Sequence, residues 1–134
     1  MEEIVKKWIT KAENDLNSAK NLIETKKPIT DSICFHSQQC VEKYLKAFLT
    51  FHHKPFRKTH DIAELIENCK EIDPEFENLY DINIDNLTIY AVELRYPDDF
   101  YIPTLQEAKE ALEMAEKTRE FVLEKLAKLG YSEK

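Results

Sequence analysis

The 134-residue sequence predicts an all-α fold, a single antiparallel helical bundle of about five helices, and three observations predict it. The chain has one glycine, Gly130, so the Asn-Gly and Asp-Gly turns that close antiparallel hairpins are missing. Its composition favours Glu, Lys, Leu and Ala, which lose little side-chain freedom in a helix. Its apolar residues recur at spacings of three and four over most of the length. At 43% apolar residues, one domain spanning residues 1–134 with one core is expected.

Each element has its own signals. From Glu3 to about Glu24, Ile4, Val5, Trp8, Ile9, Ala12, Leu16, Ala19, Leu22 and Ile23 form one stripe, with Asp15 lying inside it. Pro28 closes that helix, because the residue before a proline avoids helical backbone. A second helix is predicted from Thr30 or Asp31, both good caps, to about His52. Its inner arc carries Ile33, Cys34, Val41, Tyr44, Leu45 and Phe48, and its outer face carries Phe35, Gln39, Lys43 and Lys46 with Glu42 at the edge. Asp61 with Glu64 resembles a capping box and opens a short helix to about Lys70. Asp73-Pro74 starts another segment, and the broken pattern from Phe76 to Leu94 predicts one interrupted helix or two short ones. The last helix runs between the Thr104/Glu107 capping box and Gly130, with Arg119 occupying one position of its apolar seam.

Composition also excludes functions. A P-loop or dinucleotide fingerprint needs several glycines so that backbone N–H groups can approach phosphate, and one glycine cannot supply them. A net charge of −7 argues against a surface uniformly basic enough for duplex nucleic acid. Three cysteines without paired spacing predict free thiols in a reducing compartment, and no metal site is expected. No apolar run approaches the ~20 residues of a membrane span, so a cytoplasmic protein is expected.

Charge is nevertheless unevenly spread. Between Lys43 and His60 lie five lysines or arginines, no Asp or Glu, and three of the four histidines. This window makes Lys43, Lys46, Arg57, Lys58 and His60 candidates for holding phosphate. His60 beside Asp61 is also a candidate proton-transfer pair. Asp15, Gln38 and Arg119 fall on apolar faces and need polar partners, and an Asp15–Arg119 pair across the bundle is expected. Phe35 and Gln39, on the polar side of the second helix, suggest a surface covered by a second copy.

Four blocks, in order, carry a resemblance: Lys11-Ala12-Glu13-Asn14-Asp15-Leu16; Phe35 to Ala47 (FHSQQCVEKYLKA); Lys58-Thr59-His60-Asp61-Ile62; and Leu94-Arg95-Tyr96-Pro97-Asp98. Together they resemble the HEPN (higher eukaryotes and prokaryotes nucleotide-binding) domain family. The resemblance implies a dimeric helical bundle without a cofactor that engages nucleotide or RNA. It also implies a partner, a minimal nucleotidyltransferase, in a toxin–antitoxin arrangement. Many members are metal-independent ribonucleases with an Arg followed four to six residues later by His. Here Arg57 precedes His60 by only three residues, and Arg95 and Arg119 precede no histidine. The expectation is therefore a module that binds rather than cuts. His60 and Arg95 are the candidates for a divergent ribonuclease, and a non-catalytic dimeric interaction protein is the third reading.

Overall fold

Helix α2 (Thr30–Phe51) is the element on which the others pack. The computed structural model describes residues 2–91 and 101–131, and every regular element among them is helical. Helix α1 (Glu2–Ile23) precedes α2, and α3 (Ile62–Lys70) follows it. Two 3-10 helices, Pro74–Ile82 and Ile84–Tyr90, come next, and α4 (Leu105–Lys128) completes the bundle. Arg95 and its neighbours 94–98 lie outside the described residues.

Helices α1 and α2 form an antiparallel hairpin, with Trp8 reaching the Lys46 level and Asp15 the His36 and Lys43 level. Helix α4 lies antiparallel to α1, since Glu13 meets Arg119 and Lys20 meets Glu116. It runs parallel to α2, with Thr30 donating to the Pro103 carbonyl at one end and Phe51 touching Tyr131 at the other. The segment from α3 through the 3-10 helices carries the chain back between those ends. Its core anchor is Phe76, fully buried between Phe48 at 4.4 Å and Phe121 at 4.9 Å.

Several helix ends follow their sequence signals. Thr104 and Glu107 form a reciprocal capping box, and Asp73 caps Pro74–Ile82 with proline in its first turn. Asp61 caps α3 by accepting from the Glu64 N–H, but the Glu64 carboxylate turns to Arg57 instead of completing the box. The start of α2 differs from expectation. Its cap is Ile29, with no side-chain hydrogen bond, because the Thr30 hydroxyl is committed to Pro103 and Asp31 accepts from Ser32.

Two helices end in the same way. At the end of α4 the Tyr131 N–H donates to Leu126 and the Gly130 N–H to Ala127; at the end of α2 the Lys54 N–H donates to Leu49 and the His53 N–H to Thr50. Both are Schellman motifs, which require a left-handed residue after the cap. Gly130 supplies it at φ +92°, whereas His53 adopts φ +56° at the steric cost of its Cβ. His53 is exposed, so glycine there would relieve strain without losing packing. His53→Gly is expected to stabilise the fold by about 0.5 kcal/mol and Gly130→Ala to destabilise it by about 1 kcal/mol. Urea titrations of the two variants check both signs.

Candidate functional site

The outward face of α2 is polar and is organised by two carboxylates, each almost fully buried. Glu42, 3% exposed, lies between the stripe neighbours Gln38 and Lys46 on α2. Lys46 Nζ donates to Glu42 Oε1 at 2.6 Å, Gln38 Nε2 to Oε2 at 2.9 Å, and His60 Nδ1 lies 3.0 Å from Oε2. Burial pushes the Glu42 carboxyl up, but these three partners outweigh burial and hold it below the ordinary 4.5. An ionised carboxylate only accepts, so the proton of a neutral His60 sits on Nδ1 and Nε2 keeps its lone pair. The His60 side chain is 60% exposed.

The second carboxylate is Asp15, 8% exposed on α1. His36 Nδ1 lies 2.8 Å from Asp15 Oδ1, and Lys43 Nζ donates to Oδ2 at 2.5 Å. The same reasoning leaves the lone pair of a neutral His36 on Nε2, and the side chain is 31% exposed. The α2 face thus carries two imidazoles, each held at Nδ1 by a carboxylate from another part of the fold. Gln39 lies between them in sequence and donates to Gln38 at 2.6 Å, and Gln38 also reaches the His60 carbonyl at 3.4 Å.

The basic window is placed differently from expectation. Lys46 is 7% exposed, not solvated: its ammonium sits over the rings of Trp8 at 5.5 Å and Phe56 at 5.9 Å. It positions the loop after α2 and is out of reach of a phosphate. Arg57 is exposed and forked onto Glu64, at 3.0 Å through Nε and 2.5 Å through its terminal nitrogen. Lys54 meets Glu71 at 3.4 Å. Lys58 is exposed with no ion pair among the described residues. His60 turns to Glu42, and its neighbour Asp61 is occupied as the α3 cap. His52 packs between Phe48 and Phe51, and burial holds its pKa below the usual imidazole value.

Arg119 pairs with Glu13 and not with Asp15. Its Nε donates to both Glu13 oxygens, at 2.9 and 3.1 Å, and the buried Tyr44 hydroxyl donates to Glu13 at 2.5 Å. Residues 13 and 15 lie about 200° apart around α1, and α4 packs on the Glu13 side. Phe35 is half-buried with its ring edge on His36, and Gln39 is half-buried beside it. Glu42 and His36 were not singled out from sequence. The polar stripe Gln38, Glu42, Lys46 at intervals of four is the signal that marks the first, whereas the Asp15–His36 pairing depends on how two helices meet.

The class so defined is an all-helical bundle with an ionised, imidazole-bearing face on its central helix. The sequence model of the HEPN domain matches residues 5–126, and the chain belongs to the HEPN domain family. It is 36% identical over 129 residues to the Methanocaldococcus jannaschii protein named "Putative toxin MJ1304", covering 89% of this chain and 83% of that one. It also superposes on the crystal structure of ST0689, an archaeal HEPN homologue, with TM-score 0.71, 27% identity, and coverage of 91% of this chain and 97% of the other.

Two stability experiments follow from the pairing. Glu42→Ala leaves the Lys46 ammonium buried without its anion and is expected to cost about 3–5 kcal/mol. A carboxyl held below its ordinary value stabilises the fold above that value, and the contribution fades as pH falls through the lowered one. Stability should therefore drop below pH 4.5, and Glu42→Gln should show a shallower drop there in pH-dependent urea melts. At the other pair, Arg119→Ala removes a cation that is 36% exposed and is expected to cost about 1 kcal/mol. Glu13→Ala should cost more, about 2–3 kcal/mol, because it also strands the buried Tyr44 hydroxyl.

Proposed function

We propose that this HEPN protein is the RNA-engaging member of a toxin–antitoxin-type pair, with the α2 face as the surface that meets RNA. One observation carries the reading: His36 and His60 are each fixed at Nδ1 by a nearly buried carboxylate, leaving Nε2 for a ligand. Family membership and the toxin name of the Methanocaldococcus jannaschii relative support the same reading. Lys58, exposed beside His60 in the chain, and Lys43, whose 20% exposed side chain is paired with Asp15, are the cations placed to contact phosphate. In this reading a small nucleotidyltransferase restrains the protein, and a second copy seated over Phe35 and Gln39 brings two such faces together.

The Glu42–His60 pair supports a second reading, RNA cleavage. In such a step the 2′-hydroxyl attacks the adjacent phosphorus while Nε2 of an imidazole takes its proton. The 5′-oxygen departs with a proton from a second donor, leaving a 2′,3′-cyclic phosphate. Asp15 and Glu42 would steady the charge on the imidazole that accepts the proton.

Binding and turnover of a labelled oligoribonucleotide, measured in chelator with and without a neighbouring nucleotidyltransferase, separate these readings. Lys43→Gln is expected to weaken binding about tenfold. His60→Ala should weaken binding only a few-fold if the protein binds, and should cut turnover by about 10²–10⁴ if it cleaves. Equal binding by the parent and both variants would reject the α2 face as the site.

A further inference from the structure

The ion pairs of the α2 face have a consequence for where RNA can be held. Of the five cations in the basic window, Lys43, Lys46, Lys54 and Arg57 are matched by Asp15, Glu42, Glu71 and Glu64, which leaves Lys58 as its one unmatched charge among the described residues. On the outer face of α1 the opposite holds. Lys6, Lys7 and Lys11 are exposed, and among the described residues none makes an ion pair or a side-chain hydrogen bond. With Glu3, Thr10 and Asn14 they line an open depression of about 520 Å3. Glu3 is the one acid there, against three lysines.

We infer that this α1 face is a second phosphate-binding surface, a track for the backbone of a single RNA strand that leads onto the α2 face. The inference rests on the RNA reading above and extends it. Lys7, Lys11 and Asp15 recur at intervals of four and so lie along one side of α1, about 6 Å apart along its axis. Asp15 is the carboxylate that holds His36 and Lys43. The row formed by Lys7 and Lys11 therefore ends one turn from the imidazole-bearing face, with Lys6 on the far side of the depression. A strand lying on it would meet the cations first and the two histidines next. Thr10 and Asn14 add uncharged donors that accept any base sequence. This continuity favours an RNA backbone over an acidic protein surface, which would have no reason to converge on His36.

The test is binding of a labelled oligouridylate to the full chain across a salt series. Lys6→Glu/Lys7→Glu/Lys11→Glu is compared with Lys26→Glu/Lys27→Glu/Lys109→Glu, which changes net charge equally at exposed lysines without partners elsewhere. All six positions are exposed, so unchanged thermal melts establish that both variants fold. The α1 variant should bind about tenfold or more weakly and lose about 2 from the log–log salt slope, as expected for three phosphate contacts on a single strand. The control should stay near the parent. Equal losses in both variants would reduce the effect to net charge and overturn the track. Parent-like binding by the α1 variant would overturn it too, and a Lys43→Gln loss alongside would leave the α2 reading standing. If the parent binds no oligouridylate at any salt concentration, the RNA assignment of this face is wrong.

Discussion

A carboxylate buried in the side of a helix is unstable unless several donors converge on it, and Glu42 imposes that condition on much of this fold. Lys46 and Gln38 meet it from the same helix, one turn away on either side. The third donor, His60, must come from outside α2, which fixes the end of the loop after it. Lys46 is in turn a nearly buried ammonium, and its other contacts are the rings of Trp8 and Phe56. The middle of that loop and the first turns of α1 are thereby held against the same residue, with the Trp8 and Phe56 rings 6.3 Å apart. Asp61, next to His60, then caps α3. One acidic side chain thus links α1, α2, the loop and the start of α3.

The same pairing decides the electrostatics. The protein carries a net charge of −7, so cations in its interior layers readily find carboxylates. Asp15 and Glu42 cancel Lys43 and Lys46, leaving an α2 face near neutrality unless its imidazoles are protonated. Such a face orients groups well but attracts anions weakly. Long-range attraction must come from lysines that no carboxylate has matched, and on α1 three of these share one surface. In the RNA reading proposed above, attraction and orientation fall to different helices.

Most of the secondary structure was legible because it rests on local rules. The apolar spacing located the long helices, Thr104/Glu107 and Gly130 marked the ends of the last of them, and Asp73-Pro74 marked the start of a 3-10 helix, all by chemistry that acts within a few residues. The broken pattern after Phe76 left one interrupted helix or two short ones open, and the chain forms two short 3-10 helices, Pro74–Ile82 and Ile84–Tyr90. Local rules fell short where a distant partner competed. Thr30 looked like a cap but is held by Pro103, and His53 adopts the conformation that Gly130 adopts openly. The pairings were least legible. Glu13 and Asp15 are both acids on α1, and only the docking side of α4 decides which one Arg119 meets. Lys46 looked solvated because nothing nearby in sequence reveals that Trp8 and Phe56 will close over it.

The absent Arg–His spacing takes on a different meaning against this geometry. A local motif places a cation and an imidazole on one stretch of helix, where helical periodicity alone sets their separation. Here each imidazole is set by a carboxylate from another element: His36 on α2 by Asp15 on α1, and His60 in a loop by Glu42 on α2. That arrangement leaves no short sequence signature, because its parts meet only after the bundle has formed. It also makes the site sensitive to the α1–α2 packing that supports it. The Asp15–His36 pair depends on the register between those helices, and the Glu42–His60 pair on the loop that Trp8 and Phe56 hold in place. Any chemistry at this face is accordingly a property of the assembled bundle, and the stability of the α1–α2 hairpin sets the precision with which both imidazoles are presented.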